Sequence, residues 1–374
     1  MLGAPVLFEE LACADGSKLG IATLNLPKAL NSLNLTMVEL LLEKLRFWAN
    51  QDHISAVLLK GAGEKAFCAG GDVVSLYNAM KDNEDPSSVP DMAATFFREE
   101  YKLDNFIHEY PKPFIVWGSG IVMGGGMGLL MGASHRIVTE TSRLAMPEIT
   151  IGLFPDVGGS YFLNRMPKGC GLFCGLTGAM INASDAIELG LADYFNSAEN
   201  LNSFVSELKN IEWKARDASK QLDQLCQVKH AANDDLMPEA QFKLHVKAMQ
   251  GLAQCTSLSQ AVSYILQMPS TDDKWLAKAQ KNLKAGSPIT MHLVYQQLQK
   301  GAVLSLAQCF QMELAMAYRS TTLGEFQEGV RALLIDKDMQ PKWQYASPDD
   351  VPSALVESFF EPQWDGEHPL LAKS

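Results

Sequence analysis

The first 200 residues repeat a pattern of short strand, short strand and helix, and this repetition restricts the fold more than any other feature. VLFEELACADGSKLGIATLNL alternates apolar and polar residues around Asp-Gly-Ser, which predicts a hairpin. A helix follows with Asn34 as its expected N-cap, and ISAVLLKGA predicts the next strand. GDVVSLYNAMK and MAATFFREEYKLDNFIHEY have helical spacing, whereas KPFIVWGSGIVM and HRIVTE predict strands. These intervals are too short for long crossover helices, so we expect an α/β spiral of strand, strand, helix turns.

Strand signals fade near residue 200, and the rest of the chain has helical spacing. FVSELKN, ASKQLDQLCQVKHAA, AQFKLHVKAMQGLAQ and LAQCFQMELAMAYRST all place apolar residues three and four positions apart. We therefore predict a spiral core over residues 1–200 and a helical C-terminal region over residues 201–374, with the boundary within SAENLNS at 197–203.

Charge and cysteine content limit the partners and the compartment. The net charge is -12, and no basic face is evident, so nucleic acid is disfavoured as a partner. No apolar run approaches the roughly 18 residues of a membrane-spanning helix, so we expect no membrane partner. Seven cysteines without paired spacing predict reduced thiols. The first twenty residues resemble neither a secretory signal nor a transit peptide, so we expect a cytoplasmic protein.

Several motifs of other enzyme classes are absent from the sequence. GSGIVMGGGMG does not fit the dinucleotide-binding pattern G-x-G-x-x-G in any register. The sequence has no G-x-S-x-G nucleophile elbow and no Walker A lysine, so serine hydrolases and P-loop enzymes find no support. Cys170 and Cys174 lack nearby partners for a metal set, and His135 stands alone at the start of a strand, where a structural role is favoured. We therefore expect no metal site.

Two glycine-rich stretches each follow a predicted strand and open a helix. In KAFCAGGD, Gly70 and Gly71 allow the backbone to approach a ligand closely, and GIVMGGGMG repeats the arrangement after a second strand. Either stretch alone is more typical of a tightly packed turn. Two sets of backbone N–H donors that face one point form an oxyanion hole, and the second set would gain positive potential from its helix.

Two carboxylates stand among apolar and glycine residues in MPEITIGLFPDVGG. Asp156 precedes VGGSYFLNRM, so it is equally typical of a helix N-cap. Glu148 is harder to explain structurally, because a carboxylate in LAMPEITIGLF must find hydrogen-bond partners or have a raised pKa.

Together, KAFCAGGD, GGGMG and MPEITIGLFPDVGG resemble the enoyl-CoA hydratase/isomerase (crotonase) superfamily. FFREEYKL, SGIVMGGGMGL and EFQEGVRALLIDKDMQPKW are similar to the 3-hydroxyisobutyryl-CoA hydrolases, the thioesterases of valine breakdown within it. The resemblance runs from about residue 5 to about residue 345 and is weakest between 200 and 280. It implies a crotonase-like spiral of ββα turns with a helical C-terminal region.

The resemblance also implies a coenzyme A thioester as the substrate. Its carbonyl oxygen is expected to accept hydrogen bonds from the N–H groups that match Gly71 and Gly125. Lys28 matches a position near the nucleotide, although it also fits an exposed turn. Ala69 lies where the family's backbone meets the adenine and pantetheine, and we expect the adjacent Gly70 to contact the substrate as well.

The second carboxylate distinguishes the reactions of the superfamily. Its hydratases carry two glutamates, one of them two positions after the glycine triplet, where this sequence has Gly128. Loss of one positioned proton-transfer group costs roughly 10²-fold to 10⁴-fold in rate, so hydration is disfavoured. Glu148 matches the other glutamate, and Asp156 falls where the hydrolases carry Asp. We expect Glu148 to attack the thioester or to activate water, and Asp156 to bind the acyl hydroxyl or that water, while Glu100 matches a substrate-contacting position.

Two other functions stay open at this point. An enoyl-CoA isomerase also works with one main glutamate beneath an oxyanion hole, and a non-catalytic acyl-CoA-binding protein could keep the fold without the chemistry. No metal or redox cofactor is expected, because the thioester is already activated and coenzyme A is part of the substrate. Superfamily members are often trimers or paired trimers, so a homo-oligomer stays open too.

Overall fold

The computed structural model describes residues 3–371 and contains nine strands within them. The strands are β1 (Val6–Ala12), β2 (Lys18–Leu24), β3 (Ile54–Gly61), β4 (Ala66–Cys68), β5 (Phe114–Gly118), β6 (Ile121–Met123), β7 (His135–Val138), β8 (Arg143–Ala145) and β9 (Tyr194–Phe195). They form a six-stranded sheet of order β1-β2-β3-β5-β7-β9 and a three-stranded sheet of order β4-β6-β8. β1 and β2 form the predicted antiparallel hairpin, and the large sheet is parallel from β2 onward.

Sixteen α-helices lie within the described residues. They are α1 (Leu35–Ala49), α2 (Val73–Lys81), α3 (Asp91–His108), α4 (Gly125–Met131), α5 (Gly159–Phe162), α6 (Cys170–Thr177), α7 (Ala183–Glu188), α8 (Leu201–Leu208), α9 (Ala218–Ala232), α10 (Val246–Leu252), α11 (Leu258–Gln267), α12 (Lys274–Ala285), α13 (Pro288–Gly301), α14 (Leu306–Ser320), α15 (Glu325–Val330) and α16 (Ser353–Glu357). The Asn34 side chain caps α1 by accepting the Met37 N–H at 2.9 Å, as the sequence predicts. Among residues 3–371, no helix is both long enough and apolar enough to cross a bilayer.

From β3 to β8, each turn of the chain supplies one strand to each sheet, whereas β1, β2 and β9 all lie in the large sheet. β3 and β5 lie side by side in the large sheet, and the strands that follow them, β4 and β6, pair in parallel in the small sheet. The large sheet then continues with β7, and the small sheet with β8. This alternation is the expected spiral of ββα turns, and it confirms the predicted fold class.

One predicted strand is in fact two strands in different sheets. KPFIVWGSGIVM was expected to form a single strand, but it forms β5 and β6 with a break at Ser119 and Gly120. Gly120 has a φ of +72°, and a Cβ there would lie 2.5 Å from the carbonyl oxygen of Lys65. Because only glycine fits this close approach, the chain can turn from one sheet into the other at this residue.

The first of two compact units comprises residues 1–71, 103–144 and 181–243. Its core joins the large sheet to two helices that follow it in sequence. Leu19, Leu58 and Ile115 of the sheet belong to one buried cluster with Phe204 of α8 and Leu222 of α9. Helices beyond residue 200 therefore complete the core of this unit.

The second compact unit comprises residues 72–102, 145–180 and 244–374. It contains α2, the segment that carries Glu148 and Asp156, and α10 to α16. The predicted boundary near residue 200 coincides with the last strand, β9, but each compact unit draws on segments from both sides of it. As a domain boundary it stays a prediction, and its outer ends at residues 1–2 and 372–374 lie outside the described residues.

Candidate active site

The two predicted glycine-rich loops lie against each other in the first unit. One follows β4 and contains Gly70 and Gly71, and the other follows β6 and enters α4 at Gly125. β4 and β6 are parallel neighbours, so their carboxyl ends fall at the same edge of the sheet. Gly70 has a φ of +111°, and a Cβ there would lie 3.4 Å from the Met123 carbonyl oxygen and 3.9 Å from the Gly125 nitrogen. These are ordinary contact distances, so the positive φ of Gly70, rather than a lack of space, is what favours glycine here.

The N–H groups of Gly71 and Gly125 are available as hydrogen-bond donors. Within residues 3–371 neither of them donates to another protein atom. Gly125 is the first residue of α4, where an N–H has no acceptor inside the helix and the helix dipole adds positive potential. Two such donors suit an oxygen that gains negative charge.

Lys28 lies close in structure to the loop that contains Ala69. It occupies the 3₁₀ turn Pro27–Ala29 and is exposed. Leu30 ends this turn in the left-handed conformation, with a φ of +53°, and its carbonyl oxygen accepts the Ala69 N–H at 3.1 Å. The structure thus joins the segment that bears Lys28 to the glycine loop.

Glu148 begins a 3₁₀ turn in the second unit, and C-terminal residues hold this turn. The turn ends at Gly152, with a φ of +70°, where a Cβ would lie 2.5 Å from the Glu325 carbonyl oxygen. The Ile149 carbonyl accepts the Ser287 N–H at 3.0 Å. The Glu148 side chain is 4% exposed, and its Oε2 has no hydrogen-bond partner among the described residues.

Asp156 does not cap the following helix, so the N-cap interpretation of this residue is wrong. The cap position of α5 is Gly158, and the N–H groups of Gly158 and Ser160 donate to the buried carboxyl group of Glu313. The Asp156 side chain is 4% exposed and instead accepts the Tyr101 hydroxyl at Oδ2, over 2.8 Å. Its carboxyl is therefore held by a side chain of α3.

Glu100, Glu148 and Asp156 form a buried carboxyl cluster. Burial raises the pKa of Glu100 and of Glu148 well above the ordinary value, and the charge of Asp156 raises both further. Burial also raises the pKa of Asp156 to about 7, although the hydrogen bond from Tyr101 lowers it. Within residues 3–371 none of the three carboxyls forms an ion pair with Lys, Arg or His. The cluster therefore retains protons near neutral pH.

The predicted site residues fall into two groups. The first unit contains Lys28, Ala69, Gly70, Gly71 and Gly125, and the second contains Glu100, Glu148 and Asp156. Within each group the structure brings the residues together. Gly128, which the resemblance of the sequence matches to a glutamate of the hydratases, is buried in α4.

Tyr101 is a site residue that the sequence analysis missed. It is fully buried, and its hydroxyl contacts Asp156, which is 55 residues away in the chain. Its only sequence signal is its place beside Glu100 in FFREEYKL, where an aromatic residue at helical spacing is more typical of the core.

His135 makes contacts typical of a structural residue. Its ring nitrogens lie 2.9 Å from the Ser134 hydroxyl and 3.1 Å from the Asp223 carboxyl, and the ring stacks on Tyr194. Within the described residues, no group of three or more His, Cys, Asp or Glu side chains could hold a metal ion. The expectation of a reaction without metal stays a prediction.

Comparison with known proteins gives a family and relatives that span nearly the whole chain. A family model described as enoyl-CoA hydratase/isomerase matches residues 19–360. A relative from Danio rerio, named 3-hydroxyisobutyryl-CoA hydrolase, mitochondrial, is 37% identical over 96% of this chain and 90% of its own length.

Two solved structures share the fold over nearly their full length. An enoyl-CoA hydratase from Rhodobacter sphaeroides 2.4.1 has a TM-score of 0.82 and 32% identity, over 96% of this chain and 98% of its own. A carnitinyl-CoA dehydratase from Mycobacterium thermoresistibile has a TM-score of 0.84 and 31% identity, over 99% of this chain and all of its own.

The burial of Asp156 predicts how stability depends on pH. Its pKa is about 7 in the folded chain against an ordinary 3.8, so its contribution to stability is present below the lower value and is lost as pH rises through about 7. Asp156→Asn keeps an oxygen for the Tyr101 hydroxyl but removes the charge. As pH rises from about 5 to about 8, we expect the free energy of unfolding of the Asp156→Asn variant to fall less than that of the parent. The difference between the two decreases should be on the order of 1 kcal/mol or more. Scanning calorimetry measures this difference.

Asp85→Asn is the control for this experiment. Asp85 is exposed, and hydrogen bonds from Ser87 lower its pKa, so its titration lies on the acid side of this pH window. We expect the Asp85→Asn variant to show the same change in free energy of unfolding with pH as the parent between about pH 5 and pH 8. A slope for Asp156→Asn equal to that of the parent would contradict the pKa shift.

Proposed function

Because the chain belongs to the enoyl-CoA hydratase/isomerase family, we propose that it hydrolyses the thioester of 3-hydroxyisobutyryl-CoA to 3-hydroxyisobutyrate and coenzyme A. Relatives with that activity in their names cover nearly the whole chain, from vertebrates to Dictyostelium discoideum. The reaction would place the protein in valine degradation, as the resemblance of its motifs implies.

The observation that carries the proposal is the buried pair Glu148 and Asp156 in the second unit. Both carboxyls are almost fully buried without an ion-pair partner among residues 3–371, which costs stability. Such costly, perturbed groups cluster at sites where they serve chemistry. A carboxyl with a raised pKa is a stronger base and nucleophile when ionised than an exposed one. Such a group suits attack on a thioester or activation of water.

Hydration of a double bond is the second candidate, and the similarity to the enoyl-CoA hydratase from Rhodobacter sphaeroides gives it some weight. Gly128 argues against it, because glycine supplies no acid or base where hydratases of the superfamily carry one of their two glutamates. Isomerisation and binding without catalysis also stay as alternatives. Asp156 argues against both, since neither activity needs a second buried acid beside Glu148.

In the proposed mechanism, the Gly71 and Gly125 N–H groups bind the thioester oxygen as it becomes negative. Either the Glu148 carboxylate attacks the carbonyl carbon and forms an anhydride that water opens, or it takes a proton from the water that attacks. In both routes the C–S bond breaks, and the sulfur leaves as a thiolate that gains a proton. The assignment of the glycine and carboxyl groups to one substrate rests on family membership.

The remaining predicted residues bind the substrate in this proposal. Asp156 accepts the acyl hydroxyl or orients water, and Glu100 contacts the acyl part from the adjacent position in the carboxyl cluster. Lys28 interacts with the nucleotide, and the backbone at Ala69 and Gly70 borders the adenine and pantetheine. Coenzyme A enters as part of the substrate, so we propose that no separate cofactor takes part.

The compartment and the assembly state of the protein are separate questions from its reaction. Free thiols at Cys13, Cys226, Cys255 and Cys309 support the predicted reducing environment. The cytoplasmic location stays a prediction, since relatives from several animals carry mitochondrial in their names. The homo-oligomer that the sequence analysis left open stays a prediction as well.

The choice of substrate tests the proposed reaction directly. We expect rapid thiol release from 3-hydroxyisobutyryl-CoA and negligible hydration of crotonyl-CoA, because Gly128 removes one of the two groups that hydration needs. Free thiol is followed with a disulfide reagent, and enone loss by absorbance. Efficient hydration without thiol release would favour the hydratase. The absence of both thiol release and hydration would favour a binding protein.

Glu148→Gln tests the residue that would carry the chemistry. The amide keeps the shape but can neither attack nor accept a proton, so we expect kcat to fall by roughly 10³-fold or more with KM within about tenfold. Exchange of an exposed glutamate, Glu357→Gln, serves as the control. A Glu148→Gln variant that kept kcat within about tenfold of the parent would make Glu148 a structural acid.

A further inference from the structure

One face of α14 contacts both the side-chain partner of Asp156 and the backbone that follows Asp156. Phe310 packs against Tyr101, with ring centroids 5.8 Å apart. Glu313 lies three residues later, on the same face of the helix, and is fully buried. Tyr101 in turn donates its hydroxyl to Asp156. α14 therefore contacts Tyr101, the partner of Asp156, through Phe310, and it contacts the backbone turn after Asp156 through Glu313.

Glu313 holds the turn through two backbone hydrogen bonds. Its Oε2 accepts the Gly158 N–H and its Oε1 accepts the Ser160 N–H, both at 2.8 Å. Val157 and Gly158 adopt positive φ values of +50° and +87°. Such a backbone is strained at Val157 and persists only where the surroundings hold it in place.

The segment before Asp156 is held as well. Gln297 of α13 is fully buried, and its side-chain N–H donates to the Pro155 carbonyl at 2.7 Å. The Gly159 N–H donates to the carbonyl of Asp156 itself at 2.7 Å. Polar groups thus fix the backbone on both sides of Asp156, and two of these groups come from helices far along the chain.

We propose that Glu313 is a positioning residue, which holds Asp156 where it can select acyl groups that carry a hydroxyl. The role in selecting acyl groups rests on the proposed function. The role of Glu313 in fixing the backbone turn after Asp156 does not. A misplacement of about 1 Å at a reacting group can cost 10²-fold in rate. A site built around a substrate hydroxyl depends on the placement of its polar partner in the same way, because a displaced partner is left unpaired.

Glu313→Gln tests whether Glu313 fixes the backbone turn after Asp156. The test is valid whether the Glu313 carboxyl of the parent is protonated or ionised. Burial raises the pKa of Glu313 to about 8, so the carboxyl is partly protonated near neutral pH. Both oxygens can accept an N–H whether or not the group is ionised, whereas a glutamine offers one oxygen and one nitrogen that cannot accept. The substitution therefore removes one of the two hydrogen bonds at nearly constant shape.

Asp185→Asn is a matched control in the first unit. Asp185 is also fully buried, and its carboxyl accepts two backbone N–H groups, those of Gln241 and Phe242. It takes no part in the proposed reaction. Glu313→Asp, which keeps the carboxyl group but shortens its reach, replaces Glu313→Gln if that variant does not fold by circular dichroism.

The first measurement needs no substrate. Hydrogen exchange of the peptide that covers residues 156–162 is followed by mass spectrometry in the parent and the variants. We expect exchange in Glu313→Gln to be about fivefold faster than in the parent, since a hydrogen bond worth roughly 1 kcal/mol is lost, and unchanged in Asp185→Asn. Unchanged exchange in Glu313→Gln would overturn the proposal, whatever the enzyme hydrolyses.

The second measurement compares kcat/KM for 3-hydroxyisobutyryl-CoA with kcat/KM for isobutyryl-CoA, which lacks the hydroxyl. We expect Glu313→Gln to lower the first by about 10-fold to 100-fold and the second by less than about threefold, while Asp185→Asn leaves the ratio unchanged. Equal losses on both substrates would overturn the role in selection. A parent without thiol release would refute the proposed function, and with it the role in selection, while the exchange result would still decide whether Glu313 holds the turn.

Discussion

The buried carboxyl cluster of the second unit is costly, because burial disfavours the charged form of each acid and no cation among residues 3–371 is paired with any of the three. The charge on Asp156 raises the pKa of both Glu100 and Glu148, so full ionisation of all three is strongly opposed. The cluster therefore carries protons at pH values where ordinary carboxyls carry none. Much of the surrounding structure fixes the backbone that carries these buried, protonated acids.

That support comes mainly from the C-terminal helices. The Glu148 turn is held by a hydrogen bond from Ser287 and by close packing of the Glu325 backbone, while Glu313 and Gln297 hold the backbone around Asp156. These groups are buried and hydrogen-bonded, so they fix backbone positions without adding a cation that would lower the pKa of the acids. A long helical region after the strands thus has a physical role beyond covering the core.

The sequence predicted those features that depend on short-range patterns. The hairpin, the Asn34 cap and the spiral followed from residues within one or two turns of each other, and Glu148 and Asp156 stood out because their neighbours are apolar. KPFIVWGSGIVM was predicted as one strand because an apolar run does not show that Gly120 turns the chain into a second sheet.

The missed contacts have a common physical cause. Tyr101 meets Asp156 across 55 residues, and Glu313 meets Gly158 across 155 residues. In sequence, Tyr101 and Glu313 look like ordinary members of amphipathic helices, so periodicity gives no indication of their partners. The N-cap interpretation of Asp156 failed for the same reason, since the carboxyl that binds the start of α5 comes from α14.

Infrared titration of the carboxyl groups tests the central claim most directly, because a protonated carboxyl and a carboxylate absorb at separate frequencies. Exposed acids are ionised above about pH 5. The parent protein should keep a protonated carboxyl band near neutral pH, and this band should weaken in Glu148→Gln and in Glu100→Gln, each of which removes one acid of the cluster. Complete loss of the band by about pH 5 in the parent would show that the buried acids are ionised like exposed ones, and would contradict the account of this site.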